Sequence, residues 1–563
     1  MSAPTFPDDF NLASYFLFDR LRDGGRNRPA LLFGDRQQTF QEVADVTRAL
    51  RAYLAFAGLS REERVLILLH DTPAFVWAFF ATLYHGAVVA MGNPDAPPPD
   101  IAYLVEYTRA RVVFTTPRVA HSIAPVLSAA KLRTLVLVPE VATGGDVTED
   151  IPIPPSVAHL RRISLGNAIA LGRTYQDAGS PPPSSIKRDD VAIWLFTSGS
   201  TGKPKAAIHT HRDFAFNTEV YAKGCVGYRQ GDITVSVPRL FFGYATGTNL
   251  MFPFAVGATT ALYAERPTPE SLAAAIERYK PTIVTNVPTM MGKLLDADEA
   301  RAAAGKPRFD FSSVRLYLSA GEALPPALLD RFVKRFKADV YDGIGSAEMF
   351  HIYCTNRPGD IKPGSLGRVV HGYTIKILPP SAEGPGAPEL PRGETGVMWV
   401  KGDSVATGYF QDRDKSWATF FGHWCRTGDL FRMDEEGYLW FSGRSDELLK
   451  VSGIFVAPTE VEECLLHHPA VSIAAVIGTE DRGLIKPKAF VVVREGDRDL
   501  IATEAGRQAL ATELKDHVKT ALSRHKYPRF IVFIDDLPKN DRGKVDRRAL
   551  RDREVQGKNP VGY

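Results

Sequence analysis

A short apolar run, Val191-Ala-Ile-Trp-Leu-Phe196, leads directly into a loop rich in hydroxyls, glycines and lysines, Thr197-Ser-Gly-Ser-Thr-Gly-Lys-Pro-Lys-Ala206. The apolar run predicts a buried strand. Glycines allow the loop backbone to turn tightly and approach a ligand, and its N–H, hydroxyl and ammonium groups suit a polyphosphate. Pro204 stands where a Walker A loop has Ser or Thr, which excludes that motif. The stretch therefore predicts another kind of phosphate loop, because a flexible linker would need neither the strand nor the lysines.

Four further motifs follow the loop in order: Tyr341-Asp-Gly-Ile-Gly-Ser-Ala-Glu348, Arg426-Thr-Gly-Asp429, Gly443-Arg-Ser-Asp446 with Lys450 and Gly453, and Pro538-Lys-Asn-Asp-Arg-Gly-Lys544. Together the five motifs resemble those of the adenylate-forming enzymes, which include acyl-CoA synthetases, firefly luciferase and peptide-synthetase adenylation domains. The resemblance spans nearly the whole chain, and the ordered set is far more specific than any one motif. Within this superfamily, the stretches Asp342–His351 and Lys450–Val456 are most similar to the benzoate-CoA and 2-aminobenzoate (anthranilate)-CoA ligases.

Length and charge exclude several classes of partner. The chain has 563 residues, and 68 Lys and Arg minus 65 Asp and Glu leave a net charge of +3. No strong field therefore draws it to nucleic acid or to a membrane. Its four cysteines lie far apart without metal or redox spacing, so reduced thiols in the cytoplasm are expected. The uncharged stretch 72–94 is interrupted by Pro73, His85 and Gly86, which favours a buried helix at 74–85 and a strand at 87–91 over a membrane segment.

Apolar periodicity predicts an α/β fold. Short apolar runs alternate with amphipathic stretches over residues 27–140 and again over 191–345, which is the pattern of layered βα units. Residues 142–190 are rich in Gly, Pro and Ser and are expected to form a surface connection. Residues 364–443 predict a small β-rich subdomain, and the pattern after Arg444 predicts a compact α+β unit. By resemblance, residues 1–444 form the large N-terminal AMP-binding domain and residues 446–563 a small mobile C-terminal lid.

The resemblance implies an ATP-dependent activation of a carboxylate. An acyl-adenylate and pyrophosphate form first, and a thiol then displaces AMP. Fixed cations and donors are needed because a carboxylate approaches a triphosphate. The β,γ-phosphate cradle is assigned to Thr197, Ser198, Gly199, Ser200, Thr201, Gly202 and Lys205, and Mg²⁺ to Glu348 with Thr197, since oxygen ligands suit that ion.

The same resemblance assigns the nucleoside contacts and the mobile parts of the site. Ser319-Ala320-Gly321-Glu322 and Asp342-Gly343 are similar to the segments that enclose the adenine, and Asp429 and Arg444 to the groups that contact the ribose. Lys544 is the expected catalytic lysine of adenylation, where its ammonium would stabilise transition-state charge. A domain rotation about Asp446 is expected to replace it with Lys450 and Gly453, where glycine leaves room for the pantetheine arm of coenzyme A.

By the same resemblance, an aromatic acyl pocket is expected between the segment 238–247 and the Gly343 loop. Phe241, Phe242 and Tyr244 suit a flat ring, with Gly343, Ile344 and His351 on the other side. His351 either bonds a ring substituent or is structural. Residues 236–254 contain no Asp or Glu, which argues against an amino-acid substrate because its ammonium would lack a partner.

Several alternatives remain open at this stage. The leading hypothesis is a ligase for benzoate or an amino- or hydroxybenzoate. A stand-alone enzyme that loads a carrier-protein phosphopantetheine, a fatty acyl-CoA synthetase and a non-catalytic AMP or acyl-adenylate sensor are the others. The family usually has Thr where this chain has Ala347, so a hydroxyl donor near the phosphates is missing. This slightly favours the sensor. In an enzyme it would lower the rate or transfer the role of the missing hydroxyl to Ser346. A homodimer is expected from the family alone.

Overall fold

The run predicted as a buried strand lies in a seven-stranded sheet of the computed structural model. Its strands are parallel except for the last pair, which forms an antiparallel hairpin. Both faces of the central strands are buried, which explains their continuous apolar sequences. The spatial order is Arg161–Ser164, Thr134–Leu137, Val112–Thr115, Arg64–Leu68, Val88–Met91, Val191–Ser198 and Pro204–Thr210.

A second, nine-stranded sheet contains Ala320, Asp342, Gly343 and Ile344 of the predicted site. Its middle is parallel, and both of its ends are closed by antiparallel strands. The order is Arg368–Val369, Ile352–Thr355, Asp339–Gly345, Leu316–Ala320, Ile283–Asn286, Ile233–Ser236, Thr259–Leu262, Pro29–Phe33 and Arg36–Thr39.

The structure describes residues 4–127, 131–140, 160–177, 185–198, 203–444, 448–451, 454–481, 484–522, 526–538 and 545–563. The chain forms two compact units, one of Met1–Ile375 with Val400–Cys425 and one of Lys376–Trp399 with Arg426–Tyr563. The predicted domain boundary at 445 lies outside the described residues and stays a prediction.

Helices connect the parallel strands of the first unit, and several begin with sequence-encoded caps. Thr39 and Glu42 form a capping box at the start of helix Phe40–Phe56, and Gly86 ends helix Pro73–His85 at φ +82°. The described α-helices of this unit are Asp19–Arg22, Phe40–Phe56, Pro73–His85, Pro98–Thr108, Pro117–Ile123, Leu165–Asp177, His211–Asn217, Gly243–Thr246, Phe252–Ala255, Pro269–Tyr279, Pro288–Ala303, Pro326–Phe336 and Arg413–Thr419. Ser14–Phe18, Thr218–Val226 and Gly247–Met251 are π-helical, and Ala347–Met349 is a 3₁₀ turn.

The prediction of a surface connection over 142–190 is wrong in part. Strand Arg161–Ser164 adds to the edge of the seven-stranded sheet, and helix Leu165–Asp177 packs against helix Phe40–Phe56. The rings of Phe56 and Tyr175 stack at 3.9 Å between centroids. Gly172 lies so close to the partner helix that an added Cβ would stand 1.9 Å from the Ala49 carbonyl oxygen. The high average content of Gly, Pro and Ser over residues 142–190 concealed the short apolar pattern at residues 161–177.

A small β-rich part was predicted for 364–443, and the structure contains a five-stranded sheet in this region. Thr374–Leu378, Thr395–Lys401, Trp424–Met433 and Phe420–Phe421 follow in that order, and Leu439–Arg444 pairs with Trp424–Met433. The α+β pattern predicted after Arg444 is also confirmed. It consists of strands Leu449–Val451 with Ile454–Val456, a sheet of Val471–Asp481, Leu484–Val493 and Phe530–Phe533, helices Pro458–Leu466, Glu504–Ala521 and Arg547–Val555, and the 3₁₀ segment Glu495–Ile501.

The uncharged stretch 72–94 forms the predicted buried helix and strand, at Pro73–His85 and Val88–Met91. Across the described ranges, no helix is both long and apolar enough to cross a bilayer.

Candidate active site

Two antiparallel strands, Val191–Ser198 and Pro204–Thr210, flank the predicted phosphate loop and include some of its residues. Thr197 pairs with Lys205 and Ser198 with Pro204, so both hydroxyl residues belong to the strand rather than to the loop. Gly199, Ser200, Thr201 and Gly202 lie outside the described residues. The assignment of these four residues to the phosphate cradle therefore stays a prediction.

Lys205, one of the two loop lysines, has an acidic partner that sequence analysis missed. Its Nζ lies 2.5 Å from Asp412 Oδ2, and only 15% of the lysine side chain is exposed. The hydrogen bond from Lys205 lowers the pKa of Asp412. Lys203 instead places its Nζ over the ring of Tyr103, at 4.8 Å. The ion pair with Asp412 thus fixes the position of the Lys205 ammonium.

Glu348 lies in the 3₁₀ turn that follows strand Asp339–Gly345. Its Oε1 accepts a hydrogen bond of 2.7 Å from the Tyr409 hydroxyl. Burial, and next the carboxylate charge, raise the pKa of Tyr409, which therefore stays a hydrogen-bond donor. Tyr409 follows Glu348 by 61 residues, and no local sequence pattern indicated the contact.

The donor set around Glu348 fits Mg²⁺ better than a metal held by protein ligands alone. Within the part of the chain that the structure describes, no three His, Cys, Asp or Glu side chains are grouped so that they could hold a metal ion. Mg²⁺ commonly takes one or two carboxylates and completes its shell with phosphate oxygens and waters. A single carboxylate at Glu348 is consistent with that arrangement.

The segments predicted to enclose the adenine lie at the ends of neighbouring parallel strands. Ser319 is paired with Asp342 and Ala320 with Gly343. Gly321 continues the chain at φ +85°, and the Glu322 carboxylate accepts hydrogen bonds from the Thr289 backbone N–H and hydroxyl, at 3.0 and 2.6 Å. The register thus brings together two motifs that are separated by some twenty residues.

Asp342 is nearly inaccessible, and its carboxylate accepts a hydrogen bond of 2.7 Å from the Ser319 hydroxyl. Burial raises its pKa to about 7. The folded state therefore binds a proton at a pH where the unfolded chain does not. The stability that this proton provides is complete below about pH 4 and is lost as the pH rises to about 7.

We expect Asp342→Asn to remove this pH dependence. Relative to the wild type, the variant should gain thermal stability steadily between about pH 4 and about pH 7 and then level off, because only the wild type must bury a charge at the higher pH. Melting temperatures of the ligand-free protein across this range provide the measurement. Asp339→Asn is the matched control, since Asp339 is an exposed residue of the same strand. Parallel wild-type and Asp342→Asn profiles would contradict the prediction.

The aromatic segment near Pro238 is the one that the sequence predicts as a wall of the acyl pocket. Phe242 is 46% exposed, and its ring centroid lies 4.6 Å from that of Phe241. Tyr244 lies in the short helix that follows, where its ring is 5.3 Å from that of His351. The structure therefore brings Tyr244 and His351 into contact across 107 residues of sequence.

His351 is buried in a single defined tautomer. Its Nε2 lies 3.0 Å from the Tyr244 carbonyl oxygen, so Nε2 carries the hydrogen. Burial lowers the pKa of the ring to about 3, so it is neutral near pH 7. Nδ1 is consequently a bare acceptor, and neither it nor the Tyr244 hydroxyl has a hydrogen-bond partner among the described residues.

Gly343 and Ile344 lie where an antiparallel strand closes the nine-stranded sheet. Gly343 is opposite Thr355 and Ile344 is opposite Cys354. An added Cβ at Gly343 would lie 2.7 Å from the Cys354 carbonyl oxygen. The backbone of Cys354 therefore approaches too closely for any side chain at position 343.

In the second unit, the two predicted ribose contacts form a pair. Asp429 is opposite Arg444 on adjacent strands, and the Arg444 Nη1 lies 3.2 Å from Asp429 Oδ1. The backbone of Lys450 is paired with Phe455 in a two-stranded hairpin. Gly453, Asp446 and Lys544 lie outside the described residues, so their assignments stay predictions.

These features have counterparts in known proteins. The AMP-binding enzyme family matches residues 18–410, and the C-terminal domain of AMP-binding enzymes matches residues 460–544. The chain therefore belongs to the AMP-binding, adenylate-forming enzymes, and within them to the AMP-forming acid–CoA ligases. Both the recognised superfamily and the predicted fold class are confirmed.

Individual relatives narrow the group to ligases of aromatic acids. A benzoate–CoA ligase of Thauera aromatica is 37% identical, over 97% of this chain and 96% of the relative. The crystal structure of the anthranilate CoA ligase AuaEII in complex with anthranoyl-AMP is 33% identical, with a TM-score of 0.80 over 99% of both chains. A benzoate CoA ligase structure from Burkholderia xenovorans LB400 is 35% identical, with a TM-score of 0.75 over 96% of this chain and all of the other.

Proposed function

We propose that the chain uses ATP to join coenzyme A to a benzoate-type acid that carries an amino or hydroxyl group, with 2-aminobenzoate as the first candidate. The observation that carries the choice of acid is the bare Nδ1 acceptor of buried His351, which, like the Tyr244 hydroxyl, has no hydrogen-bond partner in the described part of the chain. An unsatisfied buried acceptor is unfavourable, and an N–H or O–H on the substrate ring would satisfy it. Unsubstituted benzoate is the second candidate, because it cannot supply that donor.

Charge neutralisation is the main requirement of the adenylation step. The substrate carboxylate attacks the α-phosphorus of ATP, and pyrophosphate leaves with its bonding electrons. We assign the β,γ-phosphates to the predicted phosphate loop and to Lys205, whose ammonium already has a fixed position beside Asp412. Lys544 would stabilise the charge that develops around the α-phosphate. Magnesium, when bound, would neutralise phosphate charge, and Glu348 and Thr197 are the residues proposed to hold it.

The nucleoside and the second half-reaction involve further predicted residues. Ala320, Gly321, Glu322, Asp342 and Gly343 are proposed to contact the adenine. Asp429 would accept hydrogen bonds from the ribose hydroxyls, with Arg444 beside it. In the second step the thiol of coenzyme A attacks the acyl carbon and AMP leaves, and Lys450 and Gly453 are proposed to contact the pantetheine arm after a rotation about Asp446.

A substrate panel tests the proposal directly. Purified protein is given ATP, Mg²⁺ and coenzyme A with benzoate, 2-aminobenzoate, 2-, 3- and 4-hydroxybenzoate and hexanoate, and AMP and thioester are quantified. We expect kcat/KM to be highest for an amino- or hydroxybenzoate, with hexanoate poorest. A clear preference for unsubstituted benzoate would overturn the choice of acid. Pyrophosphate exchange without any thioester would point to a carrier-protein acceptor, and AMP binding without exchange would point to a sensor.

The location and assembly of the protein follow from the proposal only as predictions. We propose a cytoplasmic enzyme of aromatic acid metabolism without nucleic-acid or membrane partners, and a homodimer by analogy with the family. Sedimentation equilibrium at micromolar concentration distinguishes a dimer from a monomer.

A further inference from the structure

A buried histidine contacts the backbone of the turn that carries Glu348. His209 is fully buried, and its Nε2 lies 2.6 Å from the carbonyl oxygen of Ala347. Its other ring nitrogen, Nδ1, lies 3.0 Å from the carboxylate of Asp213. Asp213 is itself held by the backbone N–H and hydroxyl of Thr210, at 3.0 and 2.6 Å. These hydrogen bonds link the start of helix His211–Asn217 to the turn that contains Glu348.

Both ring nitrogens of His209 therefore face oxygen acceptors. The Ala347 carbonyl oxygen can only accept, so Nε2 carries the hydrogen of that contact. The Asp213 carboxylate contacts the other ring nitrogen and so fixes the orientation of the ring.

The Glu348 turn needs such support because its backbone is strained. Phe350 is buried and has φ +68° and ψ −58°, a region that side-chain-bearing residues rarely adopt. Strained residues persist where the surrounding structure over-determines them. The preceding carbonyls of Glu348 and Met349 accept hydrogen bonds from the Ala406 N–H and the Ser404 hydroxyl, both at 2.8 Å. With His209 on Ala347, three consecutive carbonyls are held by two separate segments of the chain.

We propose that His209 and Asp213 form a positioning pair that fixes the Ala347 carbonyl and thereby directs the Glu348 carboxylate toward the nucleotide-bound cation. The pair itself contacts neither substrate nor metal. The catalytic consequence of the pair rests on the proposed function, whereas its hydrogen bonds do not.

Two substitutions at His209 separate positioning from simple burial. The amide nitrogen of Gln occupies roughly the place of Nε2, so His209→Gln can still donate to the Ala347 carbonyl. The amide of Asn corresponds to Nδ1, so His209→Asn keeps the Asp213 contact and loses the carbonyl. We expect His209→Asn to weaken Mg²⁺ binding about tenfold or more in the presence of a non-hydrolysable ATP analogue, and His209→Gln to stay within about threefold. Isothermal calorimetry with that analogue needs no turnover.

His211 is the matched control, because it is equally buried and only two residues away. Its Nδ1 accepts a hydrogen bond of 3.1 Å from the Leu12 N–H, and it belongs to a different network. His211→Asn should lower the melting temperature without changing Mg²⁺ affinity. An unchanged affinity in His209→Asn, or equal losses in all three variants, would overturn the positioning role.

The contact has its own readout in the ligand-free wild type. In protein labelled with ¹⁵N-histidine, a slowly exchanging Nε2–H resonance of His209 is expected, because this nitrogen faces the Ala347 carbonyl oxygen inside the fold. Loss of the resonance in His209→Gln assigns it. Absence of a hydrogen on Nε2 would refute the contact, whichever acid the enzyme activates. Failure of the substrate panel would leave this result intact, so the two proposals fail separately.

Discussion

Lys544→Ala is expected to reduce the adenylation rate by about 10²–10³-fold and to spare the second half-reaction. The size of the effect follows from removing one preorganised charge that stabilises the transition state of phosphoryl or acyl transfer. Lys544 belongs to the motif Pro538-Lys-Asn-Asp-Arg-Gly-Lys544 near the C-terminus. Nothing in the displacement of AMP by a thiol requires this ammonium, so the two steps should respond differently.

The two half-reactions can be measured separately. Adenylation is followed by ATP–pyrophosphate exchange with the preferred acid. Thioester formation is followed from the synthetic aryl-adenylate and coenzyme A, which bypasses the first step. Lys558→Ala is the control, because it removes the same charge from an exposed lysine of the same terminal region. Equal losses in both half-reactions would show that Lys544 is needed for folding or for general binding instead.

Gly172→Ala is expected to destabilise the first unit by about 3 kcal/mol or more, the upper range for overpacking in a closely packed interior. The new Cβ would lie 1.9 Å from the Ala49 carbonyl oxygen and 2.6 Å from its carbon. Both atoms are backbone of helix Phe40–Phe56, so no side-chain rotation can relieve the overlap. The better helix propensity of alanine offsets only about 1 kcal/mol of this loss.

A second glycine of the same helix provides the control. Gly166 has no atom within 4 Å of its added Cβ. Gly166→Ala should therefore be neutral or stabilising by up to about 1 kcal/mol. Urea denaturation of both variants, monitored by fluorescence and by circular dichroism, measures the difference. A neutral Gly172→Ala would mean that the two helices lie farther apart than the structure places them.

Local patterns in the sequence were sufficient for most secondary-structure elements. The apolar runs at 112–115 and 191–196 and the helix at 74–85 were predicted within two residues of the observed ends. A strand that is buried on both faces has a continuous apolar sequence, which can be recognised without knowing which strands lie beside it. The failure at 160–177 has an equally local cause, because a short edge strand and a glycine-containing helix were averaged with the surrounding Gly-, Pro- and Ser-rich segment.

Contacts within the site were less predictable than the motifs that form it. Motif order identified Glu348, Asp342 and Lys205 as candidates, and it could not indicate their partners. Lys205 meets Asp412 across 207 positions, Glu348 meets Tyr409 across 61, and the Ala347 carbonyl meets His209 across 138. None of these separations has a periodic signature, because each depends on how strands and turns are arranged in space.

The sequence by itself determined the family of AMP-forming acid–CoA ligases and the α/β architecture. Those properties depend on residue types at short spacing, such as the Gly, Ser, Thr and Lys of the phosphate loop. Only the tertiary structure decided that His351 is a neutral ring with a bare Nδ1 acceptor, that burial raises the pKa of Asp342 to about 7, and that His209 supports the Glu348 turn. Protonation and hydrogen-bond direction depend on burial and on distant neighbours, and these exist only once the chain has folded.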